Sequence, residues 1–307
     1  MSSLLATRIR NIQKKLSITE SGIFDLNTCK AIEKLKGVEP PKNGVLIDHK
    51  KAIQKNFGFI GKEVDGLIGP ITLSRIEQYL SNYMPPIPKG ANMIVSKKSL
   101  DLIVNSEISS KSAYNTKYKF PILPGEDSGI TIGIGYDLGQ VSTSKFVEDW
   151  EGILRTSVIN KLVKTVGKTK SAAKEVFTAE IKAIEISWDD ALEVFYTKSM
   201  PKYAKDTIGI YPGVQLLPPD AQGALVSLVY NRGTSFTKPS EERRKKIKNI
   251  AKHVANKEAK KIANEIISMK RLWGINISRG LHIRRDNEAA LVRNATYFIL
   301  PNEYVFL

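Results

Sequence analysis

The stretch Thr131-Ile132-Gly133-Ile134-Gly135-Tyr136-Asp137 is where a chain of mostly helical pattern changes period. Apolar residues and glycines alternate from Ile130 to Gly135, which predicts a strand with close backbone approach on one face. Upstream, Leu100, Ile103 and Val104 recur at helical spacing and predict a helix from Ser99 to Glu107, with Ser96 as its cap. A polar, Tyr-containing insert and a loop from Pro121 to Ser128 separate the two. Downstream the pattern is helical over Ser144 to Leu154, Ala172 to Ile184, Trp188 to Lys205, Ala221 to Asn231, Ser240 to Met269 and Arg284 to Ala295. Pro218-Pro219-Asp220 is a helix start, and Ala224, Leu225, Leu228 and Val229 make the helix that follows apolar enough to be central. The expected fold class is mainly α with a small β element: a large helical lobe beside a small strand-containing one.

At 307 residues the chain exceeds the usual size of one domain. Residues 1–82 contain a degenerate duplication. The first copy has Ile12-Gln13, Leu16, Gly22-Ile23-Phe24-Asp25, Thr28 and Ala31-Ile32; the second has Ile53-Gln54, Phe57, Asp65-Gly66-Leu67-Ile68-Gly69, Thr72 and Ile76. Each reads as a helix, a Gly/Asp turn and a second helix opening near a Thr, in a compact three-helix or paired-helix unit. From Gln to Thr the spacing is 15 residues in the first copy and 18 in the second, so the pattern tolerates a loop change. Met84-Pro85-Pro86-Ile87-Pro88-Lys89-Gly90 interrupts any helix, giving a linker over 83–93 and a second domain over 94–307.

The formal charge of +16 favours a polyanionic partner: nucleic acid, an anionic membrane surface or a wall polymer. Aromatics are dispersed and no nucleic-acid motif occurs, so no specific nucleic-acid partner is expected. Cys29 is the sole cysteine, which excludes an intrachain disulfide and a thiolate-rich metal site. His49, His253 and His282 lack ligand spacing, so neither a metal nor a zinc hydrolase is expected. The first ten residues turn polar too early for a signal peptide, and no uncharged run is long enough to span a membrane. From Glu241 to Lys248 acids give way to bases; Ile247, Ile250, Ala251, Val254, Ala259, Ile262, Ile266 and Ile267 form an apolar stripe with lysines opposite. That face reads as solvated, or as attracted to anionic envelope polymers or an outer membrane.

Glu107 and Asp137 are the carboxylates with chemical promise. Cleaving a glycoside needs a protonated acid at the leaving oxygen and a base or nucleophile at the anomeric carbon. Glu107, framed by Ile103, Val104 and Ile108, suits the first role, since apolar surroundings keep a carboxyl's proton available. Asp137, among glycine backbone groups, suits the second, with the Thr131 hydroxyl positioning a water. The plainer readings are a solvated helix-end Glu, a tight Gly-rich strand and an Asp that caps a turn.

From Ile94 onward the chain resembles the phage-type lysozymes of glycoside hydrolase family 24, which include the muramidase domain of the bacteriocin pesticin. The resemblance lies in Glu107, the segment Thr131 to Gly135, the helix Asp220 to Gly233, and Arg284 to Leu291. It implies an α+β lysozyme-like catalytic domain in which Glu107 is the general acid and Thr131 and an aspartate hold the water. In the pesticin arrangement that aspartate follows the threonine by six residues, which selects Asp137; in common phage enzymes it precedes it, which selects Asp127 or Glu126. Tyr136 stands where those enzymes have histidine. Asn231 and Arg232 are expected in the substrate cleft or its support; Arg284 and Arg285 either pair with internal carboxylates or line an anionic surface.

Val64 to Thr72 resembles the bacterial peptidoglycan-binding domain of the three-helix type, which implies wall-binding roles for Gln54, Asp65, Gly66 and Thr72; the first copy lacks the complete turn. Together the resemblances imply an endolysin-type muramidase, without a cofactor and monomeric. It would cleave the β-1,4 bond from N-acetylmuramic acid to N-acetylglucosamine with inversion. It would be made in the cytoplasm and act on bacterial peptidoglycan from the periplasmic or extracellular side after release. Phage lysin, injected effector and bacteriocin all fit. The alternatives are a lytic transglycosylase and a noncatalytic wall-binding protein.

Overall fold

A computed structural model describes residues 3–42, 44–125, 128–233, 241–274 and 279–307. The chain forms two compact units, Met1–Pro86 with Ala295–Val305, and Ile87–Asn294 with Phe306–Leu307. The first division, between Pro86 and Ile87, falls inside the proline-rich stretch 83–93, and residues 295–305 group with the first unit. Phe298 explains the return: its ring packs on the apolar core of the N-terminal unit, and Lys15 Nζ lies 5.6 Å from the ring centroid.

Among its described residues the N-terminal unit has four α-helices, α1 (Ser3–Lys15), α2 (Leu26–Lys36), α3 (Leu46–Asn56) and α4 (Pro70–Asn82). It is thus a paired-helix unit, not a three-helix one. α1 packs on α4 and α2 on α3, the pairing that exchange of the two copies would generate. Ile9, Ile12, Phe24, Cys29, Ile32, Ile53, Leu73, Ile76 and Leu80 supply the core.

A buried glutamine closes each hairpin. Gln54 Oε1 accepts from Gly66 N at 2.7 Å, while Nε2 donates to Leu67 O at 3.0 Å and Asp65 Oδ1 at 2.8 Å. Gln13 Oε1 accepts from Gly22 N at 2.9 Å, and Nε2 donates to Ile23 O, Ser21 Oγ and Thr28 Oγ1, each at 2.9 Å. Ser21 therefore stands where the second copy has Asp65, and the first turn is complete with a hydroxyl in place of a carboxylate. Both glycines have positive φ, +72° at Gly22 and +77° at Gly66, which a side chain adopts only with strain. The longer spacing in the second copy accommodates a short 3₁₀ turn, Gly61–Glu63.

In the second unit, the strand Ile94–Ser96 runs directly into α5 (Lys97–Ile108), and the Ser96 hydroxyl caps it by accepting from Ser99 N at 3.2 Å. Leu307 exchanges backbone hydrogen bonds with Met93, at 2.9 and 3.0 Å. The central helix, Pro219–Arg232, is buried at every residue from Ala221 to Val229. It packs on α5, on the Ile94–Ser96 strand and on the helix Arg279–Arg293. Gly223 permits that approach, because a Cβ there would stand 1.8 Å from Ser99 Oγ. The mainly helical expectation holds, with two short two-stranded sheets.

Three expected helices are interrupted. Trp188 to Lys205 becomes Trp188–Val194 and Met200–Ile210, joined by a π turn at Phe195–Ser199. The widened turn lies immediately before Pro201, which has no N–H to donate and crowds the carbonyl four residues back. Ser240 to Met269 becomes Glu241–Ala255 and Ala259–Ser268, parted at Lys257 (φ +55°). Ala172 to Ile184 becomes Lys170–Val176 and Ala179–Lys182, the second capped by Thr178. Thr156–Val163 is a helix not anticipated from sequence. The apolar stripe from Ile247 to Ile266 faces inward as expected, but Lys246 is buried with it and reaches Glu265 Oε2 at 2.8 Å. Among the described residues no helix is long and apolar enough to cross a membrane.

If the glutamines close the turns, Gln13→Ala and Gln54→Ala each leave a buried glycine N–H without its acceptor. Each should destabilise the N-terminal unit by about 1–3 kcal/mol. Chemical denaturation of the single variants checks this, with unchanged midpoints as the contrary result.

Candidate active site

Glu107 sits in the last turn of α5, and its backbone is fixed by the buried residues Leu100, Ile103, Val104 and Ile108 on the same helix. Its carboxylate does not lie in the apolar setting expected from those neighbours. Arg284 Nη1 donates to Glu107 Oε1 at 2.6 Å, in an ion pair whose side chains are 4% and 25% exposed. The second oxygen, Oε2, lies on the side of Gly135, 3.6 Å from where a Cβ there would stand.

Arg284 is itself held from three sides. Nε donates to Ser227 Oγ at 3.2 Å and approaches Glu288 Oε1 at 3.4 Å, and Nη2 donates to Ser227 O at 3.2 Å. Arg285 contributes a second guanidinium: Nη2 reaches Glu288 Oε1 at 2.8 Å and Asn231 Oδ1 at 3.2 Å, and Nε lies 2.7 Å from Glu288 Oε2. Glu288 and Arg285 are fully enclosed. Burial pushes the Glu288 carboxyl up, while both guanidiniums and the Ser227 hydroxyl, which donates at 2.6 Å, pull it down. Burial likewise lowers Arg285, and Glu288 opposes it. Of the two roles open to Arg284 and Arg285 from sequence, pairing with internal carboxylates is the one observed.

The glycine-rich stretch forms a hairpin in which Thr131–Ile132 pairs antiparallel with Tyr136–Asp137, and Thr131 stands directly opposite Asp137. Leu138 N donates to Ile130 O at 2.9 Å, so the Thr131–Asp137 pair is one without mutual backbone hydrogen bonds. In such pairs the Cα atoms lie about 4.5 Å apart with both side chains on one face. Gly133 and Gly135 turn the three-residue loop with φ of +55° and +68°. A Cβ on Gly135 would also stand 2.3 Å from the Tyr230 hydroxyl, which donates to Ile134 O at 2.8 Å and locks the loop to the central helix.

Two glycine N–H groups clamp Asp137. Its Oδ1 accepts from Gly129 N at 3.0 Å and Gly139 N at 2.8 Å. The second bond is the turn cap of the plainer sequence reading, yet it occupies one oxygen only; Oδ2 carries no protein hydrogen bond among the described residues. Side chains at the two glycines are barred: a Cβ on Gly129 would lie 2.4 Å from Gly139 N, and one on Gly139 would lie 2.7 Å from Gly129 Cα. Burial raises the Asp137 carboxyl above the ordinary aspartate range, and the Gly139 and Gly129 N–H groups partly oppose it.

Glu107, Thr131 and Asp137 line one cleft of about 460 Å³, together with Tyr136, Tyr203, Tyr230 and Asn231. Tyr136 is buried and donates to Asp149 Oδ2 at 2.8 Å; burial first, then that bond and its charge, push the phenol far upward, so it remains a donor. Arg232 is not among the cleft-lining residues; its guanidinium stacks 4.4 Å from the Trp273 ring centroid. Lys145, Lys198 and Lys202 also line the cleft; Lys145 is paired with Glu148 and Asp149, and Lys202 with Asp206. Asp127 and Glu126 lie outside the described residues. Among the described residues no group of three or more His, Cys, Asp or Glu side chains has metal-site geometry. In the N-terminal unit, Gln54, Asp65 and Gly66 are joined by hydrogen bonds within the turn; Gln54, Gly66 and Thr72 are buried and Asp65 is exposed.

Sequence reasoning passed over Tyr230, Tyr203, Ser227, Glu288 and the paired glycines 129 and 139. A signal existed for two of them: Ser227, Tyr230 and Asn231 follow i, i+3, i+4 spacing on an otherwise apolar helix, a polar stripe on one face. A family model described as a domain of unknown function (DUF8812) matches residues 109–212. No curated protein matches the chain. The matched stretch contains the hairpin with Thr131 and Asp137; it begins two residues after Glu107 and ends before the central helix.

The raised Asp137 carboxyl has a thermodynamic sign. A folded-state value above the unfolded one, near 3.8, means that the stability this group contributes is present below 3.8 and is lost as pH rises through the folded value. Asp137→Asn keeps an oxygen for the two glycine N–H groups without the buried charge. It should melt higher than the parent at pH 7, with the difference vanishing as pH falls below 3.8; a lower melting temperature at pH 7 would refute the assignment of burial as the dominant influence.

Proposed function

We propose that the second unit is a glycoside hydrolase of the lysozyme type, a muramidase cleaving the N-acetylmuramic acid to N-acetylglucosamine bond of peptidoglycan with inversion. The observation that carries this reading is the single cleft shared by Glu107, on a helix, and by the cross-strand pair Thr131 and Asp137. Neighbouring hydroxyl and carboxylate groups on one strand face suit a bound water. A carboxyl on the opposite element suits protonation of the leaving sugar, the division of labour that inversion requires.

In this mechanism Asp137 Oδ2 accepts a hydrogen bond from the water and Thr131 Oγ1 orients it. Fixing Oδ1 by two backbone N–H groups aims Oδ2 without side-chain reorganisation, the kind of preorganisation that lowers a barrier. Arg284 holds Glu107 Oε1, so Oε2 is the oxygen that carries the proton to the glycosidic oxygen. Because its other N–H groups are committed to Ser227 and Glu288, Arg284 fixes the position of Glu107 independently of the hairpin. The Asp137 Oδ2, left without a protein partner among the described residues beside Thr131, suits a bound water, which favours hydrolysis over transglycosylation, a reaction that forms an anhydro product without it. The overall charge of +16 suits a polymer bearing carboxylates. The N-terminal unit, in this reading, retains the enzyme on the wall.

Digestion of purified peptidoglycan followed by mass spectrometry tests the reading. The parent should release reducing muramic-acid ends. Glu107→Gln should lower the rate by about 10²–10⁴-fold, the usual contribution of a general acid. Thr131→Val should lower it about tenfold, the loss of one net hydrogen bond of about 1–1.5 kcal/mol. Anhydro-muramic products would redirect the mechanism to transglycosylation, and no products from any of several accessible walls would remove the enzymatic reading.

A further inference from the structure

The turn that carries the peptidoglycan-binding resemblance is largely self-satisfied: Gln54 is buried and bonded to Asp65, Gly66 and Leu67. Unused binding capacity lies elsewhere in the same unit. An open groove of about 870 Å³ is lined by Lys36, Phe57, Arg75, Tyr79, Asn82 and Tyr83, among others. Its floor is aromatic. Phe57 and Tyr79 meet edge to face, with centroids 5.6 Å apart and planes at 88°, and Tyr79 and Tyr83 follow at 5.8 Å and 47°. Such rings offer flat apolar faces to a ligand and, in the tyrosines, a hydroxyl at the rim.

Two cations are fixed in this floor without neutralisation. Lys36 Nζ lies 4.8 Å from the Phe57 centroid and 4.5 Å from that of Tyr79. Arg75 stacks 4.0 Å from the Phe59 centroid and donates to Phe57 O at 2.9 Å. No carboxylate lines the groove, and among the described residues neither cation has an acidic partner. The contrast with Arg8, paired to Glu77 at 2.6 Å in the same unit, is direct. Ring faces hold a cation in place yet leave its charge available to an anion. A ligand suited to the groove therefore presents an extended surface that stacks on aromatic rings, hydroxyl or amide groups along its edges, and negative charge.

The geometry points to this groove, with Lys36 over Phe57 and Tyr79, Arg75 over the neighbouring Phe59 and Tyr83 beside Tyr79, as the binding site of the N-terminal unit for a carboxylate-bearing glycan strand. A sugar ring stacks on Tyr83, and an acidic substituent meets Lys36 and Arg75. The inference rests on the wall-polymer reading above and deepens it by moving the contact surface away from the Asp65-Gly66 turn.

The test uses the full chain in a Glu107→Gln background, so that walls persist, and measures the fraction that co-sediments with purified peptidoglycan sacculi, native and carboxyl-amidated. Lys36→Glu and Tyr83→Ala alter half-buried positions of the groove; Leu67→Ala alters the exposed tip of the Asp65-Gly66 turn. Thermal melts establish that each variant is folded. The expected result is at least a tenfold weaker association for both groove variants, near-parental association for Leu67→Ala, and weaker binding of the parent to amidated sacculi. Parental binding by the groove variants, or an equal loss in Leu67→Ala, would overturn the groove assignment while leaving wall binding intact. A parent protein that does not sediment would overturn the glycan reading of this unit altogether. Neither outcome touches the hydrolysis assay, so the two proposals fail separately.

Discussion

Arg284 is the residue through which the second unit closes. Its guanidinium joins Glu107 of α5, Ser227 of the central helix and Glu288 of its own helix, so three helices meet at one charge. With Arg285 and Glu288 the network holds two cations and two carboxylates, a balanced set enclosed except at Glu107, which opens to the cleft. Such a set is not a cheap source of stability, since removing ions from water offsets much of their attraction; loss of one member, however, strands a charge and typically costs about 3–5 kcal/mol. The arrangement therefore specifies geometry. Helices that slid past one another would break the match, and Glu107 would leave its place beside Gly135.

A second constraint acts from the opposite side of the cleft. Asp137 is fixed by backbone N–H groups, and those groups come close enough only because residues 129 and 139 have no side chain. The hairpin loop is bound to the central helix through Tyr230, so both carboxylates are referenced to the same buried helix. This explains how a two-residue strand pair, too short to be stable alone, holds the Asp137 carboxylate in place. It also explains the raised Asp137 carboxyl: the geometry that aims one oxygen also withdraws the group from water, and the protein retains it at the expense of stability at neutral pH.

Much of this was legible in the sequence, for identifiable reasons. Helical periodicity located α5 and the central helix, because burial of one face or of the whole helix leaves an apolar record. The strand at Thr131 was legible only in part: the alternation read as one strand from Ile130 to Gly135, whereas Gly133 and Gly135 turn the chain after Ile132 and Tyr136–Asp137 returns antiparallel. The duplication was visible, but the equivalence of Ser21 and Asp65 was not, since a hydroxyl and a carboxylate accept the same N–H without sharing a residue type. The partner of Glu107 was also hidden: it lies 177 positions away, and only packing brings it near. The return of residues 295–305 to the N-terminal unit was illegible for the same reason, as Phe298 is an ordinary apolar residue until the core it enters is known.

In the proposed mechanism Glu107 and the Thr131–Asp137 pair act from opposite sides of one bond, with water between the bond and Asp137. Stereochemistry reports this directly. Proton NMR of the first products, recorded before mutarotation on a soluble glycan strand, reads the anomer formed at the new reducing end. The proposed mechanism gives the α anomer from a β-linked substrate. Initial formation of the β anomer would contradict it, because retention requires a carboxylate or the sugar's own acetamido oxygen to displace the leaving group ahead of the water.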